Sequence, residues 1–129
     1  SDDVETAQID RRKIQYLYSD GNTYHFMEMN TFEELALDED HIGDSRLWLK
    51  ENTEMTGLFY DSHMITLELP AALDLKIEET DPGVRGDTVR SGTKPARLET
   101  GAVIQVPLFI DRGETVTVNP HTGEYQSRA

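Results

Sequence analysis

The chain has 129 residues, of which 36% are apolar, a formal charge of −13 and no cysteine. That length suits one average domain or two small ones, and the missing thiols exclude disulfides and cysteine-ligated metal sites and fit a cytoplasmic chain. No apolar run reaches the roughly 18 residues of a membrane span, and the acidic opening Ser1-Asp2-Asp3-Val4-Glu5 lacks the basic-then-apolar order of a signal peptide.

From Lys13, apolar positions alternate through Ile14, Tyr16 and Tyr18, Asp20-Gly21 supplies turn chemistry, and alternation resumes from Thr23 to Met29. This pattern predicts a β-hairpin. Asn30 to Asp40 is acidic and mixed, and Asp44 or Ser45 is a candidate cap for a short helix running to Glu51, with Leu47 and Trp48 toward the core. Thr56–Tyr60 and His63–Leu69 are two further strand candidates, joined by Asp61-Ser62. Strands interrupted by one short helix are the content of a small Greek-key barrel of the OB type.

Pro70 cannot donate to a continuing ladder, and a domain boundary is expected there. Beyond it, Leu73–Glu78 alternates, Asp81-Pro82-Gly83 and Gly86-Asp87 carry turn residues, and strands are expected at 96–99, 103–106, 108–110, 115–118 and 124–126. The expected fold class is all-β: two tandem, five-stranded, OB-fold-like β-barrels, residues 1–70 and 71–129, with one short helix in the first. The halves share no close sequence repeat, so any likeness between them lies in the fold.

Charge is divided unevenly. Residues 1–70 hold 16 Asp and Glu against 5 Lys and Arg, a net of −11, whereas residues 71–129 hold 9 against 7, a net of −2. Between Val84 and Arg97 stand Arg85, Arg90, Lys94 and Arg97 with Asp87 as the one acid. This segment is the candidate RNA-facing surface, with a solvated polar turn as the plain alternative.

Other chemistry finds little support. His25, His41, His63 and His121 lack ligand spacing, so no metal site is expected, and no cofactor motif is present. The carboxylates form polar runs rather than an acid pair in unlike environments, and no catalytic residue is assigned. Eight of the ten aromatic residues lie in the acidic half, away from the cations, which disfavours a stacking groove for single strands and favours core and cross-strand roles.

The stretch from Lys94-Pro95-Ala96-Arg97-Leu98-Glu99-Thr100-Gly101 through Val103–Ile110 to Arg112-Gly113 resembles the C-terminal signature of bacterial elongation factor P. Asp81–Thr88 and Thr122-Gly123-Glu124-Tyr125 extend that likeness, and Gln15–Tyr18, Asp20-Gly21 and Leu67–Pro70 are similar to the family's middle domain. The resemblance implies the last two of three β domains, with the N-terminal domain missing, and a cytoplasmic, non-enzymatic, monomeric factor. It further implies ribosome and P-site tRNA binding that supports peptide-bond formation at proline stalls. Gly86, Asp87 and Thr88 match the family's Gly-Asp-Thr loop, implied to face the small subunit and the E-site codon, while Arg85, Arg90, Lys94 and Arg97 would neutralise phosphates. A paralogue of the factor and a stand-alone OB-fold module for single-stranded nucleic acid are the rival readings.

Overall fold

The structure, a computed structural model, describes residues 9–82 and 92–129. The chain divides into two compact units, Ser1–Pro70 and Ala71–Ala129. In the first, the strands are β1 (Ile9–Asp20), β2 (Thr23–Glu28), β3 (Glu34–Asp38), β4 (Glu54–Tyr60) and β5 (His63–Glu68), with helix α1 (Glu39–Ile42) and a 3-10 turn (Gly43–Trp48) between β3 and β4. They form one antiparallel sheet in the order β3-β2-β1-β4-β5.

The long first strand makes this sheet curl. Its early residues, Ile9 to Gln15, pair with β4, and its later ones, Ile14 to Asp20, pair with β2. A register shift between Tyr16 and Tyr18 marks a bulge, which bends a strand and strengthens its twist. The inward residues Ile14, Tyr16, Phe26, Leu37, Met55, Phe59 and Leu67 meet in one core, closed by Ile42 and Leu49 from the helical connection. Across β1 and β2, Tyr16 and Phe26 are register partners with ring centroids 5.5 Å apart.

Unit 2 repeats this plan in unrelated residues. Its strands are β6 (Leu73–Thr80), β7 (Thr93–Leu98), β8 (Val103–Pro107), β9 (Thr115–Asn119) and β10 (Glu124–Arg128), in the antiparallel order β10-β9-β6-β7-β8. Here too the first strand is shared, with Leu73–Lys76 on β9 and Ile77–Thr80 on β7, and a register shift lies between Ile77 and Glu79. Leu75, Ile77, Leu98, Val106, Ile110, Val116 and Val118 are almost wholly enclosed. Both units are thus five-stranded, curled, near-barrel sheets, and one short helix stands in the first.

Three local expectations are corrected. Glu34–Asp38 is a strand rather than part of an irregular acidic stretch, and its signal was weak because only Leu35 and Leu37 mark its inner face. The helix begins earlier than expected, at Glu39, because Asp38 accepts from the His41 backbone N–H at 3.2 Å and caps it. Neither Asp44 nor Ser45 fills that role. Residues 108–110 form a turn, not a strand: Pro107 ends the ladder, the Ile110 N–H donates to the Pro107 carbonyl at 3.1 Å, and Ile110 drops into the core. Phe109 points outward beneath the Arg128 guanidinium, 4.7 Å from the ring centroid.

Two interior positions show how tightly unit 1 is specified. A Cβ on Gly57 would lie 3.0 Å from Met64 Sδ and Phe59 Cε1 and 3.1 Å from Ile14 Cγ2. Glu28, only 3% exposed, ends β2 and accepts from the Thr31 hydroxyl at 2.5 Å and the Thr31 N–H at 3.0 Å. The Thr31 hydroxyl bond, helped by the Thr31 N–H and the Arg12 charge, outweighs burial and holds this carboxyl below its ordinary value.

Gly57→Val is expected to destabilise the chain by about 1–3 kcal/mol in urea unfolding, the usual cost of overpacking a strand interior. Glu28→Gln is expected to lower the melting temperature at pH 7. Since the folded carboxyl titrates below its ordinary 4.5, its stabilisation is present above that value and lost as the pH falls through the depressed one. The variant will therefore lose less melting temperature than the wild type between about pH 5 and pH 3, as followed by circular dichroism.

Candidate nucleic-acid interface

In the shared topology, the β1–β2 connection of unit 1 corresponds to the β6–β7 connection of unit 2. The first is a tight turn at Gly21-Asn22, with Gly21 at a φ of 61°. The second runs from Asp81 to Gly92 and holds the candidate residues of the sequence. Arg85, Gly86, Asp87, Thr88 and Arg90 lie outside the described residues, whereas the two strands that carry this segment, and Lys94 and Arg97 on one of them, are in view.

Alternation along β7 separates these two cations. Lys94, Ala96 and Leu98 point inward, while Thr93, Pro95 and Arg97 point outward. Lys94 is 5% exposed, and its Nζ donates to the backbone carbonyls of Asp81 at 2.5 Å and Pro82 at 3.2 Å. A buried ammonium needs such oxygen partners to offset its lost hydration. Its charge is therefore committed to the end of β6, so the structure places Lys94 at the root of the segment and not on a phosphate-facing surface.

Beside it, the Thr80 hydroxyl donates to the Pro95 carbonyl at 2.8 Å, a second stitch between the same strands. Pro95 sits in a central strand, where it supplies no N–H to either neighbour.

Arg97 lies on the outer surface as a register partner of Glu79 and Val103. Its Nη2 donates to Glu79 Oε1 at 3.1 Å with both side chains about half exposed. Such a pair is weak in water and can be exchanged for another anion. The arginine lines a shallow depression with Glu79, Thr80, Asp81, Pro95 and Val103. On the other flank of Glu79 and Thr80, Arg112 lines a second depression with Pro82 and Asp111.

Arg112 is not among the candidates that the sequence offers. In the sequence it reads only as part of the Arg112-Gly113 break, and what brings it here is the Gly113 N–H donating to the Ile77 carbonyl at 2.9 Å, with Ile77 N–H returned to Glu114 O at 2.8 Å. No short-range pattern announces a contact over that distance in the chain. The two outer arginines thus flank the end of β6, from which the candidate segment departs.

Unit 1 offers a different surface. Arg11 faces Glu68 at 3.2 Å, Arg12 faces Asp10 at 3.4 Å, Lys13 faces Glu54 at 3.8 Å, and Arg46 lies 3.6 Å from Asp44 and 3.7 Å from Glu39. These cations already meet carboxylates, which leaves the acidic excess unopposed. Core and cross-strand roles hold for Tyr16, Phe26 and Phe59, and Tyr18, though 44% exposed, pairs across the strands with His25, whereas Phe32 and Tyr60 are 69% and 48% exposed. Tyr18 stacks on His25 at 4.4 Å. Among the described residues, no group of three or more His, Cys, Asp or Glu side chains is placed to hold a metal ion, and no helix is long and apolar enough to cross a membrane.

Comparison with known proteins assigns both units. Residues 9–67 match the family described as elongation factor P (EF-P) OB domain, and residues 73–128 match elongation factor P, C-terminal. Elongation factor P of Moorella thermoacetica is 49% identical over 126 residues, covering 98% of this chain and 68% of that protein. The Corynebacterium urealyticum factor is 51% identical over 125 residues, covering 97% and 67%, and that of Caldanaerobacter subterraneus is 48% identical over 124, covering 96% and 67%. With most of each unit matched by one of the two family descriptions, this chain belongs to the elongation factor P family, a family of non-enzymatic translation factors, and carries its OB domain and its C-terminal domain.

Proposed function

We propose that this chain supplies the ribosome- and P-site-tRNA-binding OB and C-terminal domains of a factor that supports peptide-bond formation where consecutive prolines stall translation, the activating role belonging to the factor's N-terminal domain. Residues 1–70 serve as the middle OB-like domain and residues 71–129 as the C-terminal one, in a monomeric, cytoplasmic factor. The observation that carries this reading is the match of both units to elongation factor P at about half identity.

Within that frame, the segment between β6 and β7 is the part of unit 2 that meets RNA. Gly86 lets backbone approach a nucleotide closely, Asp87 and Thr88 offer an acceptor and a hydroxyl to base or sugar edges, and the segment faces the small subunit at the E-site codon. Arg85 and Arg90 neutralise phosphates, and Arg97 and Arg112 extend the cationic rim on either side of Glu79. Lys94 belongs to the same site as its anchor. Unit 1, with its net of −11 over residues 1–70, is repelled by phosphate and turns toward protein or solvent.

Replacing Arg85 and Arg90 together by Glu is expected to weaken association with tRNA-loaded 70S ribosomes. It should also reduce the slope of log affinity against log salt by about 1 for each phosphate that is no longer neutralised. Filter binding at three salt concentrations reads both quantities, and unchanged affinity at low salt would remove these arginines from the interface. Lys94→Met should behave differently. By leaving two enclosed carbonyls without their donor, it should cost about 1–3 kcal/mol in denaturant unfolding while leaving the salt slope of the remaining bound protein unaltered. Isolated oligonucleotides bound as tightly as loaded ribosomes would instead favour a stand-alone single-strand module.

A further inference from the structure

Four non-glycine residues adopt a positive φ among the described residues: Phe32 at 62°, Asn52 at 69°, Asp61 at 53° and Ser62 at 68°. Three are small polar side chains, two of them forming the β4–β5 turn, where that conformation is ordinary for such residues. Phe32 is the exception, since a bulky side chain is disfavoured there. Its ring is also 69% exposed, the highest value among the exposed large hydrophobic residues of the chain. The fold therefore holds an aromatic in an unfavourable backbone state and draws little core packing from it.

The neighbouring bonds show how that state is enforced. Phe32 N–H donates to the Glu28 carbonyl at 2.7 Å, and Glu28 N–H donates to the Glu33 carbonyl at 2.8 Å. Met29 N–H donates to the Lys13 carbonyl at 3.0 Å, which ties the turn to β1. The buried Glu28 carboxylate grips Thr31 through both its N–H and its hydroxyl, and the Thr31 Oγ1 accepts from Glu33 N–H at 3.3 Å. Every residue from 28 to 33 takes part in this set of bonds, Asn30 through its backbone N–H to the Glu28 carboxylate. The backbone that carries the ring is set before any partner arrives, which lowers the ordering cost of contact.

From this geometry we propose that Phe32 is a preformed anchor that inserts into an apolar pocket on a basic protein surface. Its immediate neighbours set the sign of the partner. Glu33 and Glu34 follow directly on the exposed edge of the sheet, and no Lys or Arg lies between Asp20 and Arg46 in the chain; the cations nearest in space, Arg12 and Lys13 on β1, already meet Asp10 at 3.4 Å and Glu54 at 3.8 Å. Phosphate is repelled by such a rim, whereas Lys and Arg side chains around an apolar pocket complement it. The proposal rests on the ribosomal reading above, in which unit 1 turns away from RNA and the available partners are basic proteins of the ribosome.

Phe32→Asn tests it with opposite signs for structure and binding. Asn accepts the left-handed backbone, so the melting temperature of the 129-residue chain should stay level or rise, while the dissociation constant for tRNA-loaded 70S ribosomes should increase about 10-fold, as for a buried aromatic anchor. A clear fall in melting temperature would show that the ring serves the fold, and unchanged affinity would remove it from any interface; either result overturns the proposal. A chain with p-benzoylphenylalanine placed at position 32 and irradiated on the same ribosomes should crosslink to a ribosomal protein. Crosslinking to ribosomal RNA, or none, would also overturn it. If Arg85→Glu with Arg90→Glu weakens binding while Phe32→Asn does not, this anchor alone falls; if the unmodified chain fails to associate with ribosomes, the ribosomal reading falls with it.

Discussion

A charge taken out of water must find its partners where it lies, and each unit of this protein meets that constraint once. Glu28 in unit 1 and Lys94 in unit 2 are the buried charged side chains among the described residues. Neither is joined to an opposite charge by a hydrogen bond of its own. The carboxylate is gripped by Thr31, and the ammonium grips the carbonyls of Asp81 and Pro82. In both cases the satisfied charge fixes the backbone at a strand end, and the exposed residues beyond it inherit their position from a group that solvent hardly touches.

The two units share one construction and diverge in electrostatics. A long first strand shared by two neighbours, with a register shift in its second half, gives each sheet its curl. On that common frame, unit 1 pairs its cations with carboxylates along its outer surface. Unit 2 also pairs Arg97 with Glu79 and Arg128 with Glu114, but residues 71–129 carry a net of only −2, and Arg97 and Arg112 flank the end of β6. A fold so tolerant of sequence lets one copy carry a large acidic excess while the other stays close to neutral.

Much of this architecture is legible in the residues, because alternation reports the face of a strand directly. Ile14 and Tyr16 on β1, Leu73, Leu75 and Ile77 on β6, and the turn residues at Gly21, Asp61 and Ser62 all stand where period-2 reading puts them. What escaped was set by contacts between segments. Leu35 and Leu37 are too few to announce β3 alone and become a strand through pairing with β2. Residues 108–110 look extended, yet Ile110 has a core site available only if the chain turns after Pro107. For the site, charge clustering drew attention to β7 but could not say that Lys94 faces inward. The family resemblance marked the segment as a candidate, and the three-dimensional register separated Lys94, which faces inward, from Arg97, which faces outward. Phe32 carried no linear signal at all, since its backbone state follows from bonds made by Glu28, Thr31 and Glu33.

Pro95 gives the C-terminal sheet a seam. Because this residue offers no amide hydrogen, and its carbonyl is taken by the Thr80 hydroxyl, the ladder is thinnest just where β6 and β7 leave for the candidate site. Partial opening there breaks fewer main-chain bonds than opening at Leu75 or Val116, whose ladder is continuous with β9. Solvent hydrogens should enter the sheet first from this side, so that the end nearest the proposed RNA contact can breathe while the opposite end keeps the domain folded.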